Sequence, residues 1–137
     1  MRDRLRDVHR YRITEAAQLL GVSDDTVRRR VEAGELPTTG ATPAEIPGAA
    51  LAEWARERAD AAADPTDRLS SARNRFVGLV TRVVVDGVMA QVDIQAGPHR
   101  VVSLMSAEAV RELGLEPGSL AVAVVKATNV IVETPRS

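Results

Sequence analysis

The 137-residue sequence contains no cysteine, which removes disulfide frameworks, thiolate metal sites and cysteine nucleophiles together. Histidine is nearly as scarce: His9 and His99 are the only two. A zinc or iron centre would lack ligands, and no metal is expected as a bare cation. Aromatic side chains make up 2% of the chain, as Tyr11, Trp54 and Phe76, so cores fall to Val, Leu and Ala with these three as single anchors. No run approaches the roughly 18 apolar residues of a membrane span, and the arginine-bearing start MRDRLRDVHR leads into no apolar signal core. A cytoplasmic chain without membrane contact is expected. Charge of one sign is missing too. The net charge is −1; residues 1–70 carry 11 arginines against 13 acids, and 71–137 carry 7 basic residues against 6 acids. Any nucleic-acid contact must come from a local patch, repeated over protomers.

With 45% hydrophobic and 27% charged residues, the composition is globular. The length allows one ordinary domain or two small ones, and small halves favour oligomers. Residues 1–10 have no clear period and read as an arm or a short helix. From Thr14, a candidate cap, a helix carries Ala16, Ala17, Leu19 and Leu20 and ends at Gly21. Ser23 caps a second helix, Asp24 and Asp25 suit its positive end, and it stops at Gly34. Two short helices around Gly-Val-Ser read as a helix-turn-helix. With Val27 and Val31 inward, Asp25 and Arg29 project outward, flanked by Thr26 and Arg28, while Arg30 falls at the buried edge as an ion-pairing or capping residue. These four outward residues are the candidate contacts to double-stranded DNA.

Residues 11–58, with Ile-Thr-Glu-Ala-Ala-x-Leu-Leu-Gly-Val-Ser and the exit Gly-Glu-Leu-Pro37, resemble the excisionase and MerR-type winged helix-turn-helix family. The resemblance implies a two-stranded wing, then Ile46-Pro47 and a closing helix over 48–58 with Leu51, Trp54 and Ala55 on its apolar stripe. The wing segment departs from the pattern: residues 38–44 hold no basic residue, which removes phosphate contacts.

Residues 59–70 lose periodicity and collect Ala, Asp, Pro and Ser, as a domain boundary does. Beyond them, strands are expected over 76–85, 88–96, 99–105, 119–126 and 129–134. Asp86-Gly87, Gly97-Pro98 and Pro117-Gly118 supply turns, and Ser106 caps a short helix closed by Gly114. Val88, Ala90, Val92 and Ile94 form the apolar face of the second strand, and Phe76 reads as core. Five strands and one helix suggest a small oligonucleotide-binding-like (OB-like) barrel. Without surface aromatics it has no platform for stacking single-stranded bases.

The candidate carriers of chemistry in this half fall into three separated segments. Ser71 and Arg73 precede the first strand, Ser103 and Ser106 flank the end of the third, and the only lysine, Lys126, stands with Ala127 and Thr128 at a strand corner. Each has a plain reading: Lys126 as a solvated strand residue, Arg73 as a linker charge, Ser106 as a helix cap, Thr128 as a turn residue. Together, with free N–H groups expected at Ala107 and Glu108, they supply hydroxyls, cations and a helix N-terminus of the kind a tetrahedral oxyanion needs.

Ser71-Ala-Arg-Asn-Arg-Phe76, the run Ser106–Gly118 and Val125-Lys-Ala-Thr-Asn-Val130 are similar to the molybdate-binding Mop domain of molbindins and molybdate-responsive regulators. The resemblance implies an oxyanion between subunits of a homo-oligomer. Ser71, Arg73, Lys126, Ala127 and Thr128 would come from one subunit, and Ser103, Met105, Ser106 and Ala107 from another. The expectation is therefore an α+β two-domain chain: a winged helix-turn-helix over 1–62, a linker over 63–70, and an OB-like Mop barrel over 71–135. Its function is expected to be that of a molybdate- or tungstate-responsive DNA-binding regulator. The alternative is a molybdate store whose first module serves assembly. Without Cys, a carboxylate pair near the pocket or clustered histidines, no enzyme is expected.

Overall fold

The computed structural model describes residues 9–60 and 70–136, with the side chain of Asp60 left aside. It divides into two compact units, Met1–Ala63 and Asp64–Ser137; the expected arm over 1–10 and linker over 63–70 lie almost wholly outside the described residues.

In the first unit, β1 (Arg10–Arg12) leads directly into α1 (Ile13–Leu20), followed by α2 (Asp24–Glu32), β2 (Glu45–Pro47) and α3 (Gly48–Asp60). The first helix starts one residue before Thr14. Arg12 is the cap, its backbone N–H donating to Glu15 Oε1 at 3.1 Å, so a glutamate three residues on takes the role expected of the Thr14 hydroxyl. Gly21 closes the helix at φ +66, and Ser23 caps α2 by accepting from Thr26 N–H at 3.1 Å. Ala16, Ala17, Val27, Leu36, Ile46, Leu51 and Trp54 form the core. The two-stranded sheet pairs β1 with β2, Tyr11 opposite Ile46. No hairpin wing forms between α2 and α3: residues 38–44 hold no strand, because Pro37 and Pro43 lack a ladder donor and Gly40, at φ +86, breaks the extended backbone.

The second unit comprises β3 (Asn74–Asp86), β4 (Met89–Ala96), β5 (His99–Ser106), α4 (Ala107–Leu113) and β6 (Leu120–Val125), then a 3-10 turn, Ala127–Asn129. All strand pairs are antiparallel, in the order β5-β4-β3-β6. The core is Val80, Ala90, Val92, Ile94 and Val110.

Four expectations are corrected here. The fifth strand over 129–134 is absent: residues 130–136 belong to no strand, so within the described residues the sheet is not closed into a barrel. Composition marks strand-forming residues, but a strand also needs an edge to pair with. Phe76 is 41% exposed, because residues 74–78 of β3 pair with β6 alone while β4 begins its pairing at Leu79. Val88 is exposed; it belongs to the turn that joins β3 to β4. The N–H of Ala107 is not free, since it donates to Val88 O at 2.8 Å.

Candidate functional site

The register of β3 on β6 gathers two of the three polar segments. Asn74 pairs with Val125, and its side-chain amide donates to Val125 O at 3.1 Å. Ser71 and Arg73, just ahead of Asn74, therefore stand at the same end of the sheet as Lys126, Ala127 and Thr128, just beyond Val125. All five are exposed. Lys126 is the cap of the 3-10 turn, and its carbonyl accepts from Asn129 N–H at 2.9 Å. Among the described residues neither Arg73 nor Lys126 has an ion-pair partner. Two uncommitted cations, two hydroxyls and a tight turn thus share one corner, which suits an anion larger than a lone carboxylate.

The third segment lies elsewhere on the sheet. Ser106 pairs with Met89, which in turn pairs with Asp86 at the far end of β3. Its hydroxyl accepts from Ala109 N–H at 3.0 Å, the capping role read from the sequence, and Ala107 behind it is buried. Ser103 and Met105 are half-buried on β5 and line a cavity of about 730 Å³ whose opposite wall is β6 up to Val125. One copy therefore holds the two groups of expected ligands apart, with the cavity between their strands.

Sequence reasoning missed a buried acid in this unit. Asp93 is 5% exposed; Gln91 Nε2 donates to its Oδ1 at 3.0 Å, and Arg100 Nε to its Oδ2 at 3.0 Å. The Gln91 hydrogen bond first, then that of Arg100, hold the carboxyl below the usual range. The signal was present: Gln91 and Asp93 share a strand face, and the two-residue Gly97-Pro98 turn sets Arg100 diagonal to Asp93.

On the first unit, Asp25, Arg28 and Arg29 are exposed along α2 and Thr26 is half-buried. Arg28 pairs with Asp25 at 3.5 Å. Arg30 pairs with Glu35 and lies 5.9 Å above the Trp54 ring, which Arg58 approaches at 5.5 Å. The Thr26 hydroxyl shares a 2.8 Å hydrogen bond with Ser23, and so is already engaged.

The chain thus joins a helix-turn-helix unit to a small antiparallel sheet unit with a cationic corner, which makes it an α+β protein of two domains. Family models match both: a helix-turn-helix domain over residues 10–59 and a TOBE domain over residues 70–132. Molybdenum-pterin-binding protein 2 of Clostridium pasteurianum is 38% identical over 63 residues, covering 45% of this chain and 93% of that relative. Among solved structures, a molybdate-binding protein from Sporomusa ovata is 30% identical over 49% of this chain and all of its own, with a TM-score of 0.47. The cytoplasmic molybdate-binding protein ModG, solved with molybdate bound, is 40% identical over 53% of this chain, with a TM-score of 0.49; the chain spans 52% of ModG. On the family models and the curated relative, the chain belongs to the TOBE-domain family, here joined to a helix-turn-helix domain.

Proposed function

We propose that this protein binds molybdate or tungstate and acts as a molybdate-responsive, DNA-binding transcriptional regulator in the cytoplasm. The observation that carries the reading is the union in one chain of a helix-turn-helix domain with a TOBE domain whose Arg73 and Lys126 share a corner, neither ion-paired among the described residues. In this reading residues 1–62 are the DNA module, 63–70 the linker and 71–135 the oxyanion module. Ser71, Arg73, Lys126, Ala127 and Thr128 of one subunit hold the dianion, with Ser103, Met105, Ser106 and Ala107 of a neighbouring subunit completing the cage. Ala107 contributes packing, because its N–H is taken by Val88. A cage of donors without acceptors favours a fully deprotonated tetrahedral anion over phosphate, which carries a proton at neutral pH and needs an acceptor for it. Double-stranded DNA meets Asp25, Thr26, Arg28 and Arg29, with the arginines reaching phosphates or guanine edges. The oxyanion acts by stabilising one assembly, which sets the spacing of the helix-turn-helix units.

A second reading, a molybdate store whose first module serves assembly, is favoured by one feature: residues 38–44 are exposed or half-buried and carry no basic side chain. Titrating molybdate against the protein and a labelled promoter fragment separates the two. Affinity for DNA that moves with molybdate supports the regulator; molybdate binding without any DNA response supports the store. Calorimetry is expected to show Lys126→Ala weakening molybdate by about 10- to 150-fold, the loss of one charge-assisted hydrogen bond of about 1.5–3 kcal/mol. Undiminished binding in that variant would remove the corner from the site, and no binding by the wild type would sink both readings.

A further inference from the structure

Arg28, Arg29 and Arg30 stand in a row on α2, and each is held differently. Arg30 pairs with Glu35 and lies over the Trp54 ring, so its charge belongs to the fabric of the first unit. Arg29 is exposed, with no ion-pair partner among the described residues. Arg28 is exposed too, but its Nη1 lies 3.5 Å from Asp25 Oδ1, with 54% and 74% of the two side chains open to solvent. Residues three apart on a helix share a face, so the acid and the base project from α2 together.

A pair this exposed adds little to folding. Its consequence is direction. An arginine on a helix leans back toward the N-terminus, and a carboxylate one turn earlier narrows its many rotamers to those that point that way. The N-terminal residues of such a helix are the ones that helix-turn-helix proteins bring to base edges in the major groove. Asp25 takes only Nη1. The opposite edge of the guanidinium, Nε–H and one N–H of Nη2, stays open among the described residues, and such a two-donor edge matches O6 and N7 of guanine. The Thr26 hydroxyl, between the two residues in sequence, is turned to Ser23 at 2.8 Å. Charge points the same way. Asp25, Arg28 and Arg29 together sum to one positive charge, which is little to hold DNA by and suits a face that reads sequence.

We infer that Asp25 is a positioning residue for DNA recognition: it aims Arg28 at a guanine in the major groove, while Arg29 meets a phosphate and Arg30 stays in the fold. Asp25 itself touches no base. The inference rests on the DNA-binding reading and adds to it the base that is read, the residue that reads it and the residue that aims the reader.

The test uses the full chain, with and without molybdate. Selection from a randomised duplex pool is expected to recover sites with an obligatory guanine, whose replacement by adenine weakens wild-type binding by about 5- to 150-fold. Asp25→Ala should lose most of that discrimination, and its released Arg28 should bind unrelated duplex more tightly, with a salt slope steeper by about 0.9 for one more phosphate. Asp25→Asn, which keeps the side chain's shape, should show the same loss where alanine perturbs the fold. Arg28→Lys should lose the guanine preference without a steeper slope, since an ammonium has no two-donor edge. Asp24→Ala removes an acid from the same first turn but leaves the pair, and should keep the guanine preference; that separates aiming from the helix dipole. Trp54 fluorescence checks that each variant is folded. Full guanine preference in Asp25→Ala and Asp25→Asn would overturn the assignment. So would loss of a neighbouring cytosine instead, which would make Asp25 a base contact. Wild type that binds duplex without any guanine preference would overturn it and leave the DNA-binding reading standing, whereas wild type that binds no duplex at any salt would sink both.

Discussion

Gly78 sits where β3 passes from one neighbour to the other. Leu79 pairs with both Gln95 and Leu120, whereas residues 74–78 pair with β6 alone. A Cβ on residue 78 would stand 2.5 Å from the carbonyl oxygen of Gln95 and 2.8 Å from Ile94 Cγ2. The first of these is main chain of the paired strand and cannot rotate aside. Relief requires β3 and β4 to part at the handover, loosening both the Leu79–Gln95 pairing and the fully buried Val80 behind it. The backbone of Gly78 is outside the left-handed region, so the cost is steric. Gly78→Ala is expected to destabilise the sheet unit by about 1–3 kcal/mol, in the range of overpacked interiors. For a domain of this size each kcal/mol lowers Tm by about 4–8 °C.

The aromatic distribution provides the assay. Trp54 is the only tryptophan and lies in the core of the first unit, so its fluorescence reports that unit alone. Far-UV circular dichroism in the β-sheet band reports the second. Thermal melts of Gly78→Ala should show the sheet transition shifted down while the Trp54 transition stays in place. A sheet transition within a degree or so of wild type would refute the argument from close approach.

Two further outcomes follow from particular groups. Asp93, held low by Gln91 and Arg100, contributes stability that is present above the unfolded carboxyl value of about 3.9 and is lost as pH falls through its depressed folded value. Urea midpoints of wild type should therefore drop in that acid window, and those of Asp93→Asn should drop less; parallel curves would count against the role given to the carboxylate. Arg29→Ala, on the exposed face of α2, should weaken DNA binding across sequences and lower the salt slope by about 1 if the residue meets a phosphate. An unchanged slope together with relaxed sequence preference would move Arg29 to a base edge.

The elements legible in the sequence are those whose determinants are local. Ser23 and Ser106 as caps and Gly21 and Gly114 as left-handed stops were readable because a cap and its helix lie within four residues. Short turns likewise marked the β3–β4 and β4–β5 hairpins. The failures depend on chain from elsewhere. Burial of Phe76 turned on where β4 ends, the Ala107 N–H was taken by Val88 from the preceding hairpin, and the run after Asn129 had strand composition without an adjoining edge. The candidate corner was half legible for the same reason: Ser71, Arg73 and Lys126 could be named, but only the Asn74–Val125 register brings them to one end of the sheet.

The wing segment, residues 38–44, carries no basic side chain, and that bears on assembly. A helix-turn-helix unit with two outward arginines on α2 neutralises few phosphates, and log K falls with log salt by only about 0.9 per phosphate contacted, so one copy alone holds DNA weakly. Joining two copies makes the second contact intramolecular and raises the apparent affinity by about 10²–10⁴ without any new contact. If assembly joins the copies, diluting the protein until it is monomeric should cost more DNA affinity than Arg29→Ala does and should roughly halve the salt slope. Trp54 fluorescence checks that the first unit stays folded on dilution. A monomer that keeps the full slope and affinity would show that one helix-turn-helix suffices, and the missing basic residues of 38–44 would then need replacement from elsewhere in the first unit.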